Sequence, residues 1–164
     1  MSFRIVKAAS EHLAQIVALI REFAEFEKLS HFCTVTEDDL RKTVFGEESF
    51  AHCLVAESDG NLVGYALFFP VFKSFRGERS MFLEDLYVSP SMRGRGVGFA
   101  LLKEVAQTAR SLGCVRMDWQ ALKWNTAAVE FYRKIGAVAD DENFDFALRG
   151  EAFEKLSEIE RNPL

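Results

Sequence analysis

Residues 80–112 read SMFLEDLYVSPSMRGRGVGFALLKEVAQTARSL. Phe82 to Val88 carries Phe, Leu, Tyr and Val at the density of a buried strand, interrupted by the adjacent carboxylates Glu84 and Asp85. A short loop with Pro90 follows, then Arg93-Gly94-Arg95-Gly96-Val97-Gly98. From Val97 onward Leu101, Leu102, Val105, Ala106, Ala109 and Leu112 recur at helical spacing, and Gly113 stands where a C-terminal cap belongs. The glycines therefore lie where a loop becomes a helix.

That position favours an anion. First-turn amides have no partner inside a helix, and the helix dipole is positive at that end. Glycine lets a phosphate approach the backbone, and Arg93 and Arg95 add charge at the same place. The ligand is not that of a Walker loop, because no Gly-Lys-Ser/Thr ending is present. Nor is it a dinucleotide fingerprint: the glycines alternate strictly, and Ser89 to Arg93 separate them from the strand. Asp118, at a ribose-binding distance beyond Gly98, is read as coincidence.

Bulk properties narrow the class. The 164 residues fit one domain over 1–164, and 49% hydrophobic content with 16 Phe describes a dense core. A net charge of −5 argues against nucleic acid and mildly favours cationic ligands. The 3 cysteines and 3 histidines show no metal-ligand spacing, so no metal site is expected and reduced thiols in a cytoplasm are. The longest apolar run, Leu62 to Phe72, is too short to span a bilayer and contains Pro70; no signal peptide opens the chain, so a soluble protein without a membrane partner is expected.

Along the chain, Phe3–Val6 reads as a strand. Ser10 caps a helix with Leu13, Ile16, Val17, Ile20, Phe23 and Ala24 on one face, and a second helix runs from Thr36 to about Val44. Ala51–Glu57 and Leu62–Phe72 form a hairpin across Ser58-Asp59-Gly60-Asn61. Val115–Leu122 is a strand and Asn125 caps a helix bearing Ala128, Val129, Tyr132 and Ile135, ended by Gly136. Phe144–Leu148 is a late strand and Glu151–Glu160 a last helix. The order is β-α-α-β-β-β-α-β-α-β, an α/β chain whose mixed sheet carries helices on both faces.

Leu83-Glu84-Asp85-Leu86-Tyr87-Val88, the Arg93–Gly98 loop, then Asn125 and Phe131-Tyr132 before Gly136-Ala137 resemble the GNAT N-acetyltransferases. The Leu-Glu-Asp strand is most similar to the diamine (spermidine/spermine) branch, which includes enzymes acetylating thialysine. The resemblance implies the GNAT fold, with the acyl donor in a wedge between the fourth and fifth strands. It implies acetyl-CoA as donor, coenzyme A as product, direct transfer in a ternary complex, and a homodimer.

The resemblance also assigns residues. The amides of Arg95, Gly96, Val97 and Gly98, with Arg93 and Gly94 beside them, hold the pyrophosphate. Backbone groups of Leu86, Tyr87 and Val88 meet the pantetheine and the thioester oxygen. Asn125 contacts the cofactor arm, and Tyr132 protonates the leaving thiolate. Glu84 is the base or orients a water, and Asp85 contacts the substrate's cationic chain, with the reverse sharing left open. Phe26 and Glu27 line the acceptor site, and Trp119 and Gln120 are further wall candidates.

On the residues alone plainer readings stay open. Glu84 or Asp85 can serve in an ion pair with Arg116, Tyr132 can be a core residue, and Asn125 a helix cap. The functional reading rests on chemistry: an alkyl amine with a pKa of roughly 10 arrives protonated and cannot attack until a carboxylate takes its proton. One departure from the branch matters. Lys73-Ser74-Phe75-Arg76-Gly77-Glu78-Arg79 replaces its acidic and aromatic segment, and those cations repel a polyamine but suit a carboxylate. The acceptor is thus a small diamine, polyamine or lysine-like amino acid; protein amines, aminoglycosides and a non-catalytic CoA-binding module are the alternatives.

Overall fold

A computed structural model describes residues 2–140, 147 and 149–158. The chain divides into two compact units, residues 1–120 and 121–164.

The first unit is a five-stranded sheet in the order β1-β2-β3-β4-β5: β1 Arg4–Lys7, β2 His52–Ser58, β3 Asn61–Lys73, β4 Glu78–Val88 and β5 Arg116–Trp119. All neighbours are antiparallel except β4 and β5. The mixed sheet is as read from the sequence. Asp59 and Gly60 both take positive φ, at 50° and 80°, which makes the β2–β3 connection the tight two-residue turn the sequence signals.

Helices cover both faces. In α1, Leu13–Phe26, the residues Leu13, Ile16, Val17 and Leu19 are buried, and they join Cys53, Val55, Leu62, Tyr65 and Tyr87 in one core. The opposite face receives α3, Val97–Ser111, through Leu101, Leu102 and Val105. Here Gly64 is required: a Cβ on it would stand 2.7 Å from the Tyr87 carbonyl and 3.4 Å from Leu101. The cross-strand carbonyl of Tyr87, with Leu101 of α3 packed close by, excludes any larger residue.

Some boundaries differ from expectation. Ser10 does not cap α1; residues Ser10–His12 form a 3₁₀ turn, and the Ala9 N–H donates to His12 Nδ1 at 3.0 Å. His12 then faces Glu57, 3.1 Å from its Nε2, and this contact fixes the entry to the helix. The second helix, α2, spans Glu37–Leu40 and widens into a π-helical turn over Arg41–Phe45. Thr36 and Asp39 cap it reciprocally. β4 begins at Glu78, four residues before the apolar run, and β5 ends at Trp119 rather than Leu122.

In the second unit, α4 spans Thr126–Lys134 and α5 spans Glu151–Glu158. Asn125 Oδ1 accepts the Ala128 N–H at 3.3 Å, the capping role read from the sequence, and Gly136 ends α4 with φ 91°. The expected strand Phe144–Leu148 falls on residues of which only Ala147 is described, and the last two residues of the expected final helix lie outside the described residues. Among the described residues no helix is long and apolar enough to cross a membrane.

Candidate active site

The decisive feature is the strand β4. From Ser80 to Leu83 it pairs with β3 on one side and with Arg116–Trp119 of β5 on the other. The β5 pairing stops at Leu83–Trp119, yet β4 continues to Val88, so among the described residues Glu84 to Val88 have a ladder on the β3 side only. A β-bulge sits at the same place. Leu67 pairs with Asp85 and Phe68 with Leu83, which leaves Glu84 as the extra residue. The strand parts from its neighbour and kinks at the first of the two carboxylates.

The bulge separates those carboxylates. Glu84 is exposed, whereas Asp85 lies partly enclosed on the α1 face. Tyr65, fully buried, donates its hydroxyl to Asp85 Oδ2 at 2.9 Å. Burial raises the Asp85 carboxyl to about 6, against the Tyr65 hydrogen bond, with the negative charges of Glu84 and Glu27 pushing the same way as burial. Glu27 is itself raised by burial. These three acids form the anionic end of the face. Arg116, the alternative partner for an acid of this strand, is instead paired with Asp118.

The end of α1 is locked to the end of β4. The Arg93 guanidinium lies over the Phe26 ring at 4.4 Å and over Tyr87 at 5.4 Å, and its Nε donates to the Val88 carbonyl at 2.9 Å. Tyr87 stacks on Phe23 at 5.1 Å, and burial together with Glu22 raises its phenol to about 12. Glu22 also accepts the Ser89 hydroxyl at 3.1 Å. Arg93 makes these contacts while remaining exposed, its Nε occupies the Val88 carbonyl, and Arg95 is a second exposed cation of the loop.

The glycine loop has the form an anion needs. Gly94 and Gly96 hold φ of 72° and 83°, a region that L side chains rarely enter. Gly96 is the N-cap of α3, makes no side-chain cap, and accepts the helix's first hydrogen bond from Ala100 N–H at 2.9 Å. The amides of Val97, Gly98 and Phe99 precede that bond, at the positive end of a 15-residue helix. Gly98 lies against Val88: a Cβ on it would stand 3.7 Å from the Val88 side chain. Loop and strand end are therefore adjacent.

Trp119 is placed elsewhere than anticipated. Its register partner is Leu83, so it points to the α3 face, away from Asp85, while Gln120 is exposed just past the end of β5. In the second unit Tyr132 is partly buried on α4 with its ring 5.2 Å from that of Phe131. Among the described residues no cluster could hold a metal ion. The thiol of Cys53, raised to about 12 by burial and by Asp85, is not a nucleophile at neutral pH.

The acetyltransferase (GNAT) family profile matches residues 14–137. This chain belongs to that family. The thialysine N-epsilon-acetyltransferase of Mus musculus is 41% identical over 95% of this chain and 98% of its own length. The Homo sapiens spermidine/spermine N(1)-acetyltransferase-like protein 1 is 32% identical over 83% of this chain, which spans only 20% of that protein. Among solved structures, an integron cassette protein from the V. cholerae mobile metagenome has a TM-score of 0.80 at 29% identity, covering 97% of this chain and 99% of its own. The protein is an N-acetyltransferase of the GNAT fold.

Proposed function

We propose that the protein transfers an acetyl group from acetyl-CoA to the primary amine of a small diamine, polyamine or lysine-like amino acid. The reading treats residues 1–164 as one N-acetyltransferase domain, acting as a homodimer in the cytoplasm. The observation that carries it is the parting of β5 from β4 after Leu83, directly before Glu84 and Asp85. It leaves a strand edge without a partner among the described residues, beside a carboxyl that can exist protonated or ionised near neutral pH.

The residues present fit the cofactor. Uncapped amides at Val97 and Gly98 suit a diphosphate, and the backbone of Leu86 and the Val88 N–H, which face away from β3 while Tyr87 is turned to it, suit the amides of a pantetheine arm, added as a further strand would be. Asn125, which caps α4 through Oδ1, is the residue the family resemblance gives to the same arm. Acetyl-CoA supplies an activated thioester carbonyl.

On the acceptor side, Glu27, Glu84 and Asp85 attract an ammonium. The amine must lose a proton before it can attack, and Asp85, whose environment raises its carboxyl, takes that proton directly or through a water. This gives Asp85 the role first assigned to Glu84, and leaves the exposed Glu84 to orient the ammonium or the water. The C–N bond forms as the C–S bond breaks, and the Tyr132 hydroxyl delivers a proton to the departing sulfur. Phe26 lines the acceptor side of Arg93.

Thiol release from acetyl-CoA across a panel of polyamines, lysine analogues, aminoglycosides and peptides tests this. Turnover confined to small cationic amines is expected; turnover only with peptides or aminoglycosides, or CoA binding with no turnover, would overturn it.

A further inference from the structure

Beyond Asp85 the same face of the sheet carries a second charged group that the transfer chemistry does not use. Side chains alternate along a strand, and the register places Tyr65, Leu67, Phe69, Val71 and Lys73 of β3 on the α1 face. Asp85 stands opposite Leu67 and Phe82 opposite Phe69, with rings 5.5 Å apart. Asp118 is the β5 neighbour of Phe82. Following β4 from Asp85, the face runs from carboxylates, over two aromatic rings, to Asp118.

Asp118 is crowded by cations. Lys73 Nζ is 3.2 Å from Oδ2, the Arg116 guanidinium is bonded to Oδ1, and the fully buried Ser80 donates its hydroxyl to Oδ2 at 2.6 Å. Two cations thus share one carboxylate, and these hydrogen bonds hold Asp118 below its ordinary pKa against the burial that raises it. The side chains of Lys73 and Arg116 remain 38% and 43% exposed, so their outer donors face solvent with one positive charge uncompensated. Glu78 stands opposite Lys73 in the register but is not within ion-pair distance of it.

Resting on the reading above, we infer that Lys73 and Arg116 bind the α-carboxylate of an amino acid whose side-chain amine lies at Asp85, with Glu78 facing the α-ammonium. The substrate class is thereby a zwitterionic lysine-like amino acid, not a polyamine. The spacing agrees. Both cations converge on Asp118, the β5 neighbour of Phe82, and Asp85 and Phe82 are three residues apart, about 10 Å at the rise of a strand and less across the bulge. A lysine side chain, seven bonds from amine to carboxylate oxygen, spans about 8 Å at the extension of a polypeptide. The Phe69–Phe82 surface between them suits a methylene or thioether chain. A polyamine on the same path puts its distal ammonium against Lys73 and Arg116 and gains nothing from either.

The test compares kcat/KM for thialysine and for its decarboxylated diamine counterpart, in the wild-type protein and in Lys73→Met. The wild type is expected to prefer the amino acid by at least about tenfold, since one well-placed charge-assisted hydrogen bond is worth about 1.5–3 kcal/mol. Lys73→Met is expected to collapse that preference, with the amino acid losing and the diamine gaining. Asp118 retains Arg116 and Ser80 in this variant, and Lys73→Arg, which keeps the charge, should preserve most of the preference. Equal or better turnover of the diamine by the wild type, or an unchanged ratio in Lys73→Met, would overturn the inference and leave the acetyltransferase reading intact. Turnover of neither amine would overturn both.

Discussion

The two halves of β4 share a sequence style and differ in partnership. Ser80 to Leu83 has a strand on each side; Ser80, Met81 and Leu83 are almost fully buried, and Ser80 is sealed by its bond to Asp118. Glu84 to Val88 pairs on one side only, is bent by a bulge, and holds the one carboxyl of the strand raised to about 6. The first half is a wall of the fold. In the second, backbone groups that a sheet would normally consume have no ladder partner among the described residues, and the ligand and the catalysis are proposed to lie there.

The sharpest way to break this contrast is Asp85→Asn. On this account kcat/KM falls about 10²- to 10³-fold, and the acid limb near pH 6 in the wild-type profile disappears. The same variant should be more stable than wild type above pH 7, by on the order of 3 kcal/mol. The sign follows from the raised carboxyl: the folded protein holds a proton that the unfolded chain, with an ordinary value of 3.8, has released. Wild-type stability from this group is therefore full below pH 3.8 and is lost as pH rises through about 6; at low pH the two proteins should match in urea unfolding.

Next in size is Tyr132→Phe, expected to lower kcat about 10²-fold while CoA binding, measured by calorimetry, changes less than threefold. Equal loss of both would make the tyrosine structural. Gly96→Ala comes third: it places a Cβ at φ 83° on the cap of α3, and should raise KM for acetyl-CoA about tenfold with little change in kcat. Smallest in its effect on catalysis is Leu83→Ala in the paired half, where stability should drop by about 3 kcal/mol and kcat stay within twofold at temperatures where the variant is folded.

What could be read from the chain beforehand was whatever is written in local pattern. The period of α3, the Asp59-Gly60 turn, the Asn125 cap and the Gly94–Gly96 loop each follow from residues a few positions apart. What could not be read depended on a partner strand. No residue near Glu84 announces a bulge; it arises because Leu67 and Phe68 pair across it. Glu78, Arg79 and Ser80 are polar and hide the start of β4, since only the Lys73–Glu78 closure of the hairpin and the bond to Asp118 reveal them as strand. Asp85 and Tyr65 lie 20 residues apart, so the environment that raises this carboxyl was invisible in the sequence.

The most direct measurement is a titration of the isotopically labelled protein with CoA, followed by the chemical shifts of its backbone amides. The account predicts the largest shifts at Leu86, Val88 and at Gly94 to Phe99, with Leu54 to Ala56 in β2, already laddered on both sides, nearly unmoved. Shifts concentrated elsewhere, with those amides silent at saturation, would contradict it.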